Sequence, residues 1–147
     1  MTRRTRLAGA LAALACLGSL SACGGDDDVD TSTDPVEVEV GKAFTWNGFA
    51  VDDGWTLEGV ERSVNAETVT TPQVEGTITN KADETRAPIF QMVFSQDGDA
   101  VATVSCSAAK MQADQSMAFE CPGLSAVMPE DYDAVVVQEL RRDTSSS

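Results

Sequence analysis

Val36-Glu37-Val38-Glu39-Val40 alternates apolar and acidic residues without a break, and Gly41 closes the run. A period of two residues is that of a strand with one face buried. Residues 43–64 follow, rich in aromatic and β-branched side chains: Phe44, Trp46, Phe49, Val51, Trp55, Leu57, Val60 and Val64. Asn47-Gly48 and Asp52-Asp53-Gly54 punctuate this stretch as turns. Trp55 and Leu57 share one parity and Val60 and Val64 the other, so a β-bulge is expected at Gly59 between them.

The alternation continues downstream. Val74, Gly76 and Ile78 fall on one face of residues 74–80, and residues 81–85 form a polar turn. Residues 88–95 carry Ile89, Phe90, Met92, Val93 and Phe94 on both parities, the signature of a central strand. Gln96-Asp97-Gly98-Asp99 reads as a hairpin turn. Residues 101–108 and 116–121 are two further strands, and 133–140 closes the set with Val135-Val136-Val137. No window of about 12 residues has a 3.6 period, and residues 111–117 offer at most one short helical turn. About seven or eight short strands, spaced by roughly 8–12 residues, predict an all-β chain folded as an antiparallel β-sandwich.

The N-terminal segment is of another kind. Arg3, Arg4 and Arg6 precede residues 7–20, which are nearly all Leu, Ala and Gly. This is the layout of a secretory signal, and the apolar run falls short of the ~20 residues that span a bilayer. Leu20-Ser21-Ala22-Cys23 ends the run. The pattern resembles the lipobox of bacterial lipoproteins. That resemblance implies a diacylglyceryl group on the Cys23 thiol and cleavage between Ala22 and Cys23. Two or more acyl chains anchor a protein stably, whereas one does so only marginally. The implied location is the extracytoplasmic face of the cell membrane.

The expected domains are a signal peptide at 1–22, a lipidated and disordered acidic tether at 23–35, a sandwich at 36–141 and a polar tail at 142–147. Asp26, Asp27, Asp28 and Asp30 give the tether its charge, and like charges extend it. The whole chain carries −14; losing the leader, with three arginines and no acid, leaves −17. That charge argues against nucleic acid and against docking on anionic headgroups. Arginine outnumbers lysine seven to three, and with much Ala, Asp, Thr and Val the composition resembles that of a GC-rich actinobacterium.

Candidate chemistry is sparse. Histidine is absent, which removes the commonest general base and metal ligand. Cys16 leaves with the leader, so Cys106 and Cys121 remain, and outside the membrane such a pair predicts a disulfide. Two cysteines without histidine are too few for a zinc site, so no metal and no cofactor beyond the lipid is expected. If residues 101–108 and 116–121 paired as a hairpin with Cys106 opposite Cys121, Ala108 would face Phe119 and both cysteines would point inward. Asp52/Asp53, Asp97/Asp99 and Glu130/Asp131 sit in turn-like clusters. They supply the alternatives of a carboxylate hydrolase or a Ca²⁺ site at Asp97-Gly98-Asp99 with Glu130 or Asp131, whereas solvated turn caps are the ordinary use of such residues.

Gly76-Thr77-Ile78-Thr79-Asn80, a polar turn, an apolar strand, Asp97-Gly98, a strand, Gln115-Ser116 and Phe119 recur in an order that resembles the telokin-like and FxLYD-type immunoglobulin-like domains of bacterial envelope lipoproteins. Val93-Phe94-Ser95-Gln96 stands where that family has its Leu-Tyr-Asp signature. The resemblance implies an immunoglobulin-like sandwich with no catalytic residues. It also implies a non-enzymatic interaction module with an envelope protein or ligand as partner.

Overall fold

The computed structural model describes residues 28–123 and 126–140. The signal peptide, Cys23, and the part of the tether at 23–27 lie outside these, as do the tail at 142–147 and Arg141. Among the described residues the regular structure is all β: β1 Val36–Val38, β2 Phe44–Trp46, β3 Phe49–Val51, β4 Thr56–Val64, β5 Glu67–Asn80, β6 Ile89–Gln96, β7 Asp99–Ser107, β8 Ser116–Pro122 and β9 Ala134–Gln138.

The strands form two antiparallel sheets. The first has the order β1-β9-β6-β7. The second is built on β5, which pairs with β4 over Glu67 to Glu75, with β3 over Ile78 to Asn80 and with β8 over Gln73 to Thr79. The β8 register overlaps both of the others, so β8 occupies one edge of β5 while β3 and β4 share the opposite edge. The inner faces meet in a core of Trp46, Phe49, Val51, Trp55, Val74, Ile78, Phe90, Met92, Phe94, Val104, Phe119, Val135 and Val137. This is the β-sandwich that the period-two pattern predicts, with nine strands.

Three local expectations are corrected. The β4–β5 ladder runs without a register shift past Gly59; the irregularity lies instead between Phe94 and Ser95 in β6. Gly59 has another use, since a Cβ there would come within 2.7 Å of Thr70 Cγ2. Residues 111–117 contain no helical turn: Met111 forms a bridge with Arg86 and β8 begins at Ser116. The cysteine strands do not form a hairpin either. β7 pairs with β6 and β8 pairs with β5, so the two belong to different sheets.

The largest difference is the length of β5. It runs 14 residues, about 45 Å at strand rise, and with β4 makes a long two-stranded ribbon, the arm. Residues 63–68 at its tip are all exposed. Pro72 sits inside this strand. Its carbonyl accepts from Gly123 N at 2.8 Å, on the side away from β4, and the missing N–H falls on that same side. The β4–β5 ladder therefore loses no bond to the proline.

Asn65 and Ala66, at φ 51° and 69°, make a two-residue turn at the arm tip. A left-handed conformation costs an alanine about 1–2 kcal/mol, part of which glycine returns through its looser unfolded chain. Ala66→Gly is expected to stabilise the arm by about 0.5–1 kcal/mol, read as slower amide exchange across the Arg62/Val69 pair. Unchanged or faster exchange there would show that the turn is unstrained.

Candidate functional site

Three features distinguish this sandwich: a strap at its entry, a bridge between its sheets, and the arm. The strap is the described part of the expected tether. Residues 28–35 have no regular secondary structure and are exposed, yet they are fastened at two points. Gly48 N donates to Asp30 O at 2.8 Å, and Trp46 Nε1 donates to Asp34 O at 3.0 Å. Glycine at 48 permits the approach. Its φ is +77°, and a Cβ would meet Arg86 Nη1 at 2.7 Å and Thr31 Cγ2 at 3.2 Å. Arg86 completes the clamp by donating to Asn47 O at 2.9 Å and to Asn47 Oδ1 at 2.7 Å.

The same end of the sandwich is organised by Asn80, which is fully buried. Its Nδ2 donates to Glu84 O at 2.8 Å and to Met111 O at 3.0 Å, while its Oδ1 accepts from Ala82 N at 3.1 Å. Its backbone takes Gln115 O as acceptor and receives Asp114 N. One side chain thus holds two separate loop segments, the turn at 82–84 and the loop at Met111. Gly76, two rungs above, leaves room for Trp55 and Phe119, whose atoms lie 2.8 and 2.9 Å from where a Cβ would stand.

The bridge is the Cys106–Cys121 disulfide, buried and joining β7 of one sheet to β8 of the other. Both cysteines point inward, as their strand parities require, but they do so across the gap between the sheets.

The acidic turns are dispersed. Asp133 Oδ2 accepts from Asp97 N at 2.9 Å and so fixes the β6–β7 turn; Glu130 and Asp131 stand exposed. Among the described residues no three acidic, cysteine or histidine side chains converge as a metal site. An open cleft of about 560 Å³ lies along Glu37–Val40 and Tyr132–Val135, with Tyr132 packed edge-on against Phe94 at 5.3 Å.

On the arm, Arg62 lies over the outward face of β5. Its Nε donates to Thr71 Oγ1 at 3.0 Å and its Nη2 to Gln73 Oε1 at 3.4 Å, and Thr71 Oγ1 donates to Val60 O at 3.3 Å. Arg86 pairs with Glu84 at 3.6 Å, whereas Arg62 has no acidic partner among the described residues. Sequence reasoning left Arg62 and Asn80 without a role. The signal for Asn80 was present as the last residue of the Gly76-to-Asn80 motif; for Arg62 it was its place as the one cation between Thr56 and Glu75.

Fold and geometry together define a disulfide-linked antiparallel β-sandwich with a strapped N-terminal entry and a projecting hairpin. Comparison with family profiles, curated proteins and solved structures found no match.

Proposed function

We propose that this protein is a lipoprotein of the extracytoplasmic membrane face, anchored through Cys23, whose sandwich serves as a non-enzymatic interaction module of the telokin-like or FxLYD-type immunoglobulin-like kind. The observation that carries this reading is the placement of the strap relative to the arm. Four residues lie between Cys23 and Asp28, a contour of at most ~18 Å. Asp30 and Asp34 are bonded to Gly48 and Trp46, at the end of the sandwich where β5 finishes. The arm rises from the other end. An anchor at Cys23 holds the Asn47-Gly48 end against the membrane and directs the arm outward, toward partners.

The outward face of the first sheet suits contact as well. Val93, Ser95, Thr103, Ser105, Val136 and Gln138 make its β6, β7 and β9 part uncharged, and Glu37 on the β1 edge is the charge beside Val136, in a mature chain of −17. Interfaces are depleted of charge at their centres.

Cys23→Ala is expected to release the protein from the membrane fraction or to stall it at its unprocessed size. A Cys23→Ala chain that still fractionates with membranes at the processed size would overturn the anchoring. Cross-linking in envelope preparations is expected to recover one recurrent partner; a scatter of neighbours would count against a specific module.

A further inference from the structure

β4 hydrogen-bonds to β5 along one edge, and no strand covers its other edge among the described residues. Nine residues of open edge is long for a native sheet, where such edges are kept short or blocked. The direction of its backbone groups follows from its neighbours. Pro72 and Thr70 turn their carbonyls away from β4, toward Gly123 N and Met128 N. Gly59 and Glu61 stand opposite these two residues, so in an antiparallel ladder their N–H and C=O groups point to the open edge. By alternation Leu57 and Ser63 do the same.

The side chains on the outward face of this edge read Thr56, Glu58, Val60, Arg62, Val64. The order is nearly self-complementary about Val60. We propose that the edge pairs with the β4 edge of a second copy of this chain, antiparallel and two-fold symmetric, with Val60 opposite Val60. In that register Glu58 of each copy faces Arg62 of the other, giving two opposite-charge pairs around an apolar centre. Thr56 faces Val64 at the flanks. On the inward face Glu61 meets Gly59, which adds no side chain of its own beside Thr70 and Met128. The free groups of Leu57, Gly59, Glu61 and Ser63 complete a ladder of about eight backbone bonds.

Neighbouring registers are worse. Shifting the axis to Glu61 sets the two Glu61 side chains against each other and parts Glu58 from Arg62. Shifting it to Gly59 places Glu58 opposite Val60. A slip by half that step turns the outward face of one copy against the inward face of the other. Arg62 can serve the pairing as it stands, because its bonds to Thr71 and Gln73 use Nε and Nη2 and leave Nη1 free. Cross-strand charge pairs are a recognised source of pairing specificity, and an isologous contact needs one patch that complements itself. The arm supplies such a patch on a chain whose overall charge opposes association elsewhere.

The test uses the mature chain, residues 23–147 with Cys23→Ala, at 0.15 M ionic strength, where charges beyond ~8 Å are screened. Sedimentation is expected to show a monomer–dimer equilibrium. Glu58→Arg and Arg62→Glu should each weaken it about 10-fold or more, and the doubly reversed chain should recover to within about 3-fold of the parent. Val60 is at a non-hydrogen-bonded position, with a Cα separation of about 4.5 Å across the axis. Val60→Cys is therefore expected to form an intermolecular disulfide under mild oxidation, whereas Ser63→Cys, which faces Leu57, is not. A parent chain that stays monomeric at about 1 mM would overturn the proposal. So would a double reversal without recovery, or a Ser63→Cys chain that cross-links as readily as Val60→Cys. Circular dichroism melts of each variant separate lost pairing from lost folding.

Discussion

Leucine in place of Asn80 is expected to destabilise the sandwich by about 3 kcal/mol, which lowers the melting temperature of a domain of this size by roughly 12–18 °C. Leucine shares asparagine's branched heavy-atom skeleton but its methyl groups are bulkier, so at this fully buried position some overpacking adds to the loss of the polar contacts. Leucine leaves buried Ala82 N and Glu84 O, whose bond is part-buried, without a partner, whereas Met111 O loses one donor and keeps Arg86 N. Each orphaned group costs about 1–3 kcal/mol, less what local rearrangement recovers. Asn80→Asp should be at least as damaging. It keeps an acceptor for Ala82 N but turns carboxylate oxygen toward the carbonyls of Glu84 and Met111, with a charge in a site that excludes water. Urea unfolding followed by tryptophan fluorescence measures both changes. A leucine variant within 1 kcal/mol of the parent would mean that the two loop segments are held by other contacts.

Breaking the Cys106–Cys121 bridge is the second large effect. The sequence separation is 15, and on the loop-closure account such a bridge contributes about 3 kcal/mol. The mechanism differs from that of Asn80. The bridge acts chiefly by restricting the unfolded chain, so its loss should appear mainly as slower folding, with unfolding little changed. The Asn80 variants remove native contacts and should unfold faster to the extent that those contacts form late. Cys106→Ala with Cys121→Ala, followed by stopped-flow refolding, tests the first statement. Here the position of the bridge matters more than its arithmetic. Because β7 and β8 edge different sheets, reduction also frees one sheet to shift against the other at that side, and the double alanine variant should show raised amide exchange in β8. A variant with unchanged exchange and a loss under 1 kcal/mol would show that core packing alone locks the sheets.

Much of the sandwich was legible because strands with one wet face must alternate. Val36 to Val40, Val74 to Ile78 and Val101 to Cys106 announce themselves, and the inward parity of Cys106, Phe119 and Cys121 followed from the same rule. What period two does not encode is which strand lies beside which. The β7–β8 hairpin was inferred from proximity in sequence, but β5 already offers Val74, Gly76 and Ile78 to the inner side chains of β8, and it claims that strand. The first half of β5 was hidden for two reasons. Pro72 argues against a strand, and Asn65-Ala66 lacks the glycine that marks a hairpin. The strap was hidden because its bonds use backbone carbonyls of Asp30 and Asp34, which no side-chain pattern betrays. Of the candidate site residues, the disulfide was readable from the expected compartment and from parity. Arg62 was not, because its significance depends on an open edge that only the sheet order reveals.

The pairing of β1 with β9 has a topological consequence. Val36 lies directly opposite Val137, so the chain enters and leaves the fold about one strand spacing apart, ~5 Å. The polypeptide is close to a ring, and a linker of a few residues would close it. Cutting that ring at Asn65-Ala66 would yield a circular permutant whose new start is the tip of the arm. Attached by that start to the anchor proposed at Cys23, the domain would stand upside down, with an identical fold and its opposite pole offered to the surroundings.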